Sequence, residues 1–171
     1  NKYDPILDLS LEVFRTRSLD RALRAFTSKE ILDGQNKYSC PKCKHLSKAV
    51  KQMLVSRLPN VLAIQLKRFA FGKHGMKIHN NISYPSRLDM SQYVAQPSES
   101  TDTYQLYGVL VHSGHSLHSG HYYCYVRCPS GAWVCCDDSS VTQVSEKRVL
   151  EQKAYMLFYC REGSPAMVSK T

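Results

Sequence analysis

From Tyr104 to Cys160 the chain repeats one local pattern five times. The blocks "YQLYGVLVH", "HYYCYVRC", "AWVCC", "VTQV" and "AYMLFYC" are rich in β-branched and aromatic residues, with glycine and serine turns between them. Runs this short, with connections this short, fold as antiparallel strands. Upstream, Ile6 to Val13 alternates around Leu7, Leu9 and Leu11, a further strand pattern, and Val61 to Leu66 is a strongly apolar strand ending in a basic pair and Phe69. One helix stands out. Ser18 can cap "LDRALRAFTS", which places Leu19, Ala22, Leu23 and Phe26 on one face. The expected fold class is therefore α+β, mostly antiparallel β-sheet with a few helices.

The sequence has 171 residues, 43% hydrophobic and 22% charged, which suits one domain with a real core. It holds no run of eighteen apolar residues and no charged-then-apolar leader, so no membrane partner is expected. It opens at Asn1 already inside an apolar pattern, as a cut piece of something longer would. The net charge is +9, but the basic residues are scattered, which fits a solvated basic surface better than nucleic acid as the main partner. Seven cysteines, an odd number, point to reduced thiols and an intracellular, nuclear or cytoplasmic, setting. The segment "AQPSESTDT" reads as a loop and the best candidate for a mobile insertion, and residues 162–171 as a frayed tail.

"HSGHSLHSGHYYCYVR", His112 to Arg127, carries four histidines at three-residue spacing. A metal cage would need a helix, and the intervening Ser-Gly, Ser-Leu and Ser-Gly pairs are poor helix formers. The segment reads instead as a strand ending at His112, a loop carrying solvated His115 and His118, and a strand beginning at His121. His112 is expected to play a structural part at its strand end.

His121 differs from the other three because its strand leads into a hairpin that ends in two acids. If "HYYCYVR" and "AWVCCDD" pair across the four-residue loop "CPSG", Arg127 lies opposite Ala132, Cys124 opposite Cys135, and His121 opposite Asp138. A slip of one residue puts Asp137 opposite His121 instead, so both aspartates remain candidates. Opposed residues lie about 4.5–5.5 Å apart at Cβ and share a face. A carboxylate held against one ring nitrogen fixes the imidazole tautomer and leaves the other nitrogen as a base. The plainer reading is a hydrogen bond at a strand end.

A base of this kind has no evident nucleophile to activate. Cys124, Cys128, Cys135, Cys136 and Cys160 all read as buried strand thiols, and none has the helix N-terminus or cationic setting of a reactive cysteine. Cys40 and Cys43, in "CPKC", have the spacing of a zinc knuckle, yet structural zinc needs four ligands and no second such pair occurs. They read as half of a structural zinc site or as two thiols in a turn.

In order along the chain, "YDPILDLSLEV", "YSCPKCK", "NVLAIQLKRFAF", "YQLYGVLVHSGHSLHSGHYYCYVR", "GAWVCCDDSSVTQV" and "AYMLFYCR" resemble the second half of a ubiquitin-specific protease catalytic domain, most closely its nuclear and nucleolar branch. The resemblance covers about Tyr3 to Arg161. It implies a papain-like cysteine protease, with fingers over about residues 1–60 and palm over about 61–161. The thumb, with the nucleophilic cysteine, would precede Asn1. It implies His121 as general base and Asp137 as its orienting acid, with Asp138 able to share or replace that role. Gly120 and Tyr122 match positions lining the channel for the ubiquitin tail, and Cys40 and Cys43 match the second of two zinc knuckles. The implied activity is thiol-dependent hydrolysis after the ubiquitin C-terminal glycine, with no cofactor for catalysis. Ubiquitin, ubiquitinated proteins and the missing half of the domain would be the partners. Residues 1–171 alone are expected to be inactive for want of the thiol. The rival readings are a ubiquitin-binding pseudo-enzyme and, more remotely, a zinc-dependent or nucleic-acid-binding module.

Overall fold

The computed structural model describes residues 2–69, 77–96, 101–116 and 119–164. One large mixed sheet dominates it. The strands are β1 (Leu9–Glu12), β6 (Val61–Lys67), β7 (Arg87–Asp89), β8 (Thr103–Ser116), β9 (Ser119–Arg127), β10 (Trp133–Asp137), β11 (Ser140–Val144) and β12 (Ala154–Arg161). Their order is β1-β6-β12-β8-β9-β10-β11, with β7 paired to β8. The five blocks seen in the sequence are all strands, and all their pairings are antiparallel. Among the described strands the one parallel pair is β1 with β6, joining Leu9 to Ile64 and Leu11 to Leu66.

Two-residue periodicity turns one face of this sheet inward. Along β6 Leu62, Ile64 and Leu66 are buried, and they meet Leu157 and Tyr159 of β12. Helix α1 (Leu19–Phe26) covers the β1 end. It begins where Ser18 Oγ accepts from the Arg21 amide, carries Asp20 in its first turn and Arg24 in its last, and buries Leu19, Ala22 and Leu23. A second helix, α2 (Glu146–Leu150), was not expected. Ser145 caps it, and Val149 is fully buried. Five residues are too few to show helical periodicity, which is why a sequence pattern misses it.

The first sixty residues do not stand apart as one unit. β1 belongs to the large sheet, while β2 (Glu30–Leu32) pairs with β5 (Ala49–Lys51), and β3 (Tyr38–Ser39) with β4 (Leu46–Ser47), as two small ribbons. The expected strand from Ile6 to Val13 shortens to Leu9–Glu12, and Ile6 and Leu7 are exposed. The loop expected over 113–120 is largely strand: β8 runs through Gly114 and the backbone of His115 to Ser116, and β9 starts at Ser119. Its register shifts between Ser113 and Ser116, an irregularity that lets a glycine-rich stretch stay paired. His118 and residues 97–100 of the "AQPSESTDT" loop lie outside the described residues. The tail is anchored where it starts: Glu162 makes a two-bond ion pair with Arg87, and Ser164 is buried. Residues 165–171 lie outside the described residues. No described helix is long and apolar enough to cross a membrane.

Candidate active site

The β9–β10 hairpin closes one residue tighter than its sequence suggests. Cys128 donates to the Ala132 carbonyl at 2.8 Å, and Gly131, at φ 88°, donates back to the Cys128 carbonyl. Glycine takes this left-handed turn without a Cβ penalty, leaving a three-residue loop, Pro129 to Gly131. The resulting register pairs Arg127 with Trp133, Tyr125 with Cys135 and Cys124 with Cys136. The expected pairs of Arg127 with Ala132, Cys124 with Cys135 and His121 with Asp138 are therefore displaced by one residue.

This register decides which acid shares the face of His121. His121, Tyr123 and Tyr125 point the same way as Cys135 and Asp137. His121 and Asp137 are thus diagonal neighbours across the pair rather than directly opposed. His121 Nε2 lies 2.5 Å from Asp137 Oδ1, and both side chains are about half exposed. The bond holds the His121 proton on Nε2 and leaves Nδ1 as the free base. The Asp137 hydrogen bond raises the histidine pKa, and its charge and that of Asp138 add to the effect.

Asp138 sits in the two-residue turn between β10 and β11, where Asp137 pairs with Ser140. Its φ of 49° is left-handed, a conformation aspartate tolerates. One ligand atom each from His121, Asp137 and Asp138 lie within 4.8 Å of one another. This is an open cluster able to bind and release a proton. No thiol is a member of this cluster among the described residues. Cys160 is buried as expected, whereas Cys124, Cys128, Cys135 and Cys136 are only half-buried.

Behind the dyad, Gly120 lies against the ring of His112. A Cβ built on Gly120 would collide with His112 Nε2 and stand 2.7 Å from the Ser113 carbonyl oxygen, so only glycine fits. His112 is structural and buried. Its Nδ1 accepts from the Lys77 ammonium at 3.0 Å, and Lys77 also donates to the His112 and Gly114 carbonyls. Burial and the Lys77 charge lower the His112 pKa and keep it neutral. Tyr122, half exposed, lies with its ring 4.6 Å from that of His112 and 6.2 Å from that of Tyr155, and Phe69 packs edge-on against His112. Gly120 and Tyr122 thus form a surface next to His121. Lys77 and the aromatic cluster carry no signal in the sequence pattern, and only the fold brings them here.

Cys40 and Cys43 form a separate turn at the tip of the β3–β4 ribbon. Cys40 donates its amide to the His45 carbonyl, and Lys44, at φ 57°, donates back to Cys40. The Cys40 thiol pKa is lowered by the Cys43 backbone N–H, then by the Cys43 thiol and the Lys42 N–H. Stabilised thiolate and knuckle geometry both suit zinc. Among the described residues no third histidine, cysteine or carboxylate joins the pair.

The model of the ubiquitin carboxyl-terminal hydrolase family matches residues 25–159. The chain belongs to the ubiquitin carboxyl-terminal hydrolase family, whose members include the ubiquitin-specific proteases. This family member is 51% identical over 98% of its length to ubiquitin carboxyl-terminal hydrolase 23 of Arabidopsis thaliana, covering 19% of that relative. It is 43% identical over 93% of its length to human ubiquitin carboxyl-terminal hydrolase 42, covering 12% of it. The chain therefore spans well under a third of these hydrolases. Among solved structures it is similar to the SAGA DUB module of Ubp8, Sgf11, Sus1 and Sgf73 bound to ubiquitin aldehyde, at a TM-score of 0.80 and 34% identity, over 92% of this chain and 36% of that one. The same module bound to monoubiquitin matches at 0.81 and 35%. The α+β, papain-like fold expected for a ubiquitin-specific protease fragment is thereby established.

Proposed function

We propose that these residues form the base-bearing half of a deubiquitinating cysteine hydrolase. The observation that carries this reading is the 2.5 Å contact between His121 and Asp137 on adjacent strands of a hydrolase-family sheet. Asp137 holds the Nε2 proton, and the free Nδ1 takes a proton from a cysteine thiol supplied outside residues 1–171. The thiolate attacks the carbonyl of the last glycine of ubiquitin, forming a tetrahedral oxyanion that collapses to a thioester. As it collapses, the His121 imidazolium gives its proton to the departing lysine amine. His121 next takes a proton from water, which attacks the thioester. The restored thiol leaves as the ubiquitin carboxylate forms. Asp138, whose charge adds to the pull on His121, supports the imidazolium without bonding it.

Gly120 and Tyr122 fit a channel wall for an extended glycine tail. Gly120 offers bare backbone, and Tyr122 a half-exposed ring beside it. Ubiquitin as partner draws support from the ubiquitin-bound modules that this chain is similar to. Cys40 and Cys43 would supply two of four ligands to a structural zinc whose other pair comes from outside these residues.

A fluorogenic ubiquitin substrate tests the reading. Residues 1–171 should show no turnover, because removing one member of the catalytic set leaves the others idle. A chain that includes the thiol-bearing part should turn over and should lose activity with His121→Ala. Turnover by 1–171 that His121→Ala removes would sink the proposal. If the longer chain binds ubiquitin yet stays inert, the binding-only reading replaces it.

A further inference from the structure

A second cluster lies on the same face of the sheet, one strand over from the dyad. A cavity of about 420 Å³ is walled by Arg68, Lys77, Val111, Ser113, Gly114, Tyr123 and the residues just after α2, Glu151 to Lys153. Its volume falls in the range of small-ligand pockets, about 300–1,000 Å³. Its chemistry is one-sided.

Arg68 is 1% exposed, yet no carboxylate pairs with it among the described residues. Its Nε donates to the Ala154 carbonyl, and its Nη1 to the carbonyls of Ile78 and Asn80. Nη2 is buried without any acceptor. A buried charged group lacking a counter-ion and one hydrogen bond is rare in native proteins. Tyr84, the nearby phenol, cannot serve as that counter-ion. Burial pushes its pKa far up, and its hydroxyl donates to the Val149 carbonyl.

The neighbours add to the charge. Lys77 is partly buried, and its pKa is lowered by desolvation and then by the charges of Arg68 and Lys153. Glu151 is the one acid on the wall, and it is exposed. Two anchored cations, one of them with an idle donor, and an exposed lysine at the rim of the same cavity form a receptor for a compact anion.

We propose that this cavity is an oxyanion site that takes a phosphate or a phosphomonoester, with Arg68 and Lys77 as its inner donors and Lys153 at its rim. The inference stands apart from the proposed hydrolase chemistry. Occupancy is nevertheless linked to the dyad, because Lys77 grips the His112 and Gly114 carbonyls and Ser113 pairs directly with His121.

Titrating the full chain with inorganic phosphate, against chloride at matched ionic strength, tests the site. Amide and Arg side-chain nitrogen–proton shifts should saturate together at Arg68, Gly114, Tyr123 and Lys153, and the melting temperature should rise above the chloride control. Lys153→Gln, at an exposed position on the cavity rim, should weaken binding by up to roughly fivefold, the range for an exposed charge. Lys77→Met should weaken it by roughly tenfold or more, as for a charge-assisted bond. Phenyl phosphate competing with phosphate would assign the site to phosphomonoesters, and failure to compete would assign it to the free ion. Shifts that stay linear in phosphate, or that spread over surface lysines and survive Lys153→Gln, would overturn the proposal even if Lys77→Met failed to fold.

Discussion

His121 Nε2 and Asp137 Oδ1 meet at 2.5 Å on a diagonal of the β9–β10 pair, with Asp138 beside them in the turn that ends β10. The diagonal makes the two acids unequal. Asp137 acts through a direct hydrogen bond, the largest cause of the raised His121 pKa, whereas Asp138 acts through charge alone, the smallest. Asp137→Asn should therefore lower the His121 pKa clearly, and Asp138→Asn only slightly. Proton NMR titration of the imidazole checks both. Because the folded value is raised, the pair's contribution to stability is whole below about pH 6.5, the unfolded value, and fades as the pH climbs through the folded value. Equal shifts from the two variants would contradict the geometry.

Gly120→Ala should damage the β8–β9 end beside the dyad. The new Cβ would overlap the His112 ring and the Ser113 carbonyl, neither of which is the far end of a flexible side chain. The ring is pinned by Lys77 and the aromatic cluster, so the strand must move. Overpacking of this kind costs about 1–3 kcal/mol, readable by urea unfolding. Unchanged stability would mean that the close approach of Gly120 to His112 is absent in solution.

Much of this arrangement can be read from the residues alone, and the failures share a physical cause. The strands of the second half announce themselves through β-branched and aromatic runs, and the helix at Ser18 through its cap and apolar face. The pattern leaves the acid open, because the choice turns on whether Gly131 takes a left-handed φ, and that fixes the register by one residue. Ser113 to Ser116 and Ser119 to Gly120 look like loop because serine and glycine have low strand propensity, yet pairing with a neighbouring strand overrides propensity. Arg68 is visible only as half of a basic pair. Its burial depends on the carbonyls of Ile78, Asn80 and Ala154, which no local pattern foretells.

Tyr84→Phe tests how α2 is fixed. The Tyr84 hydroxyl donates to the Val149 carbonyl at 2.7 Å and reaches the Gln152 carbonyl at 3.2 Å. Removing it leaves the carbonyls at the end of a five-residue helix without that donor, and a helix so short has little stability of its own. A loss of about 1–2 kcal/mol is expected, with faster amide exchange confined to α2 and the residues after it. Exchange that quickens uniformly across the sheet would argue instead for a global effect.

The Cys40–Cys43 turn yields the prediction that most sharply separates a preformed half-site from two idle thiols. Its backbone bonds, Cys40 to His45 and Lys44 to Cys40, hold the turn without metal, and backbone and thiol donors already favour the Cys40 thiolate. Two thiolates close only half of a zinc tetrahedron. Equimolar zinc should therefore leave the melting temperature of residues 1–171 nearly unchanged. Adding a second thiol pair from the rest of the protein should raise it by an amount that Cys43→Ser removes. The pH dependence of alkylation gives an independent readout. Cys40 should react at lower pH than Cys124, whose thiol pKa is raised by burial and by Cys136. If the longer protein gains nothing from zinc while Cys40 still shows its lowered pKa, the turn is a thiol pair in its own right and the metal assignment falls.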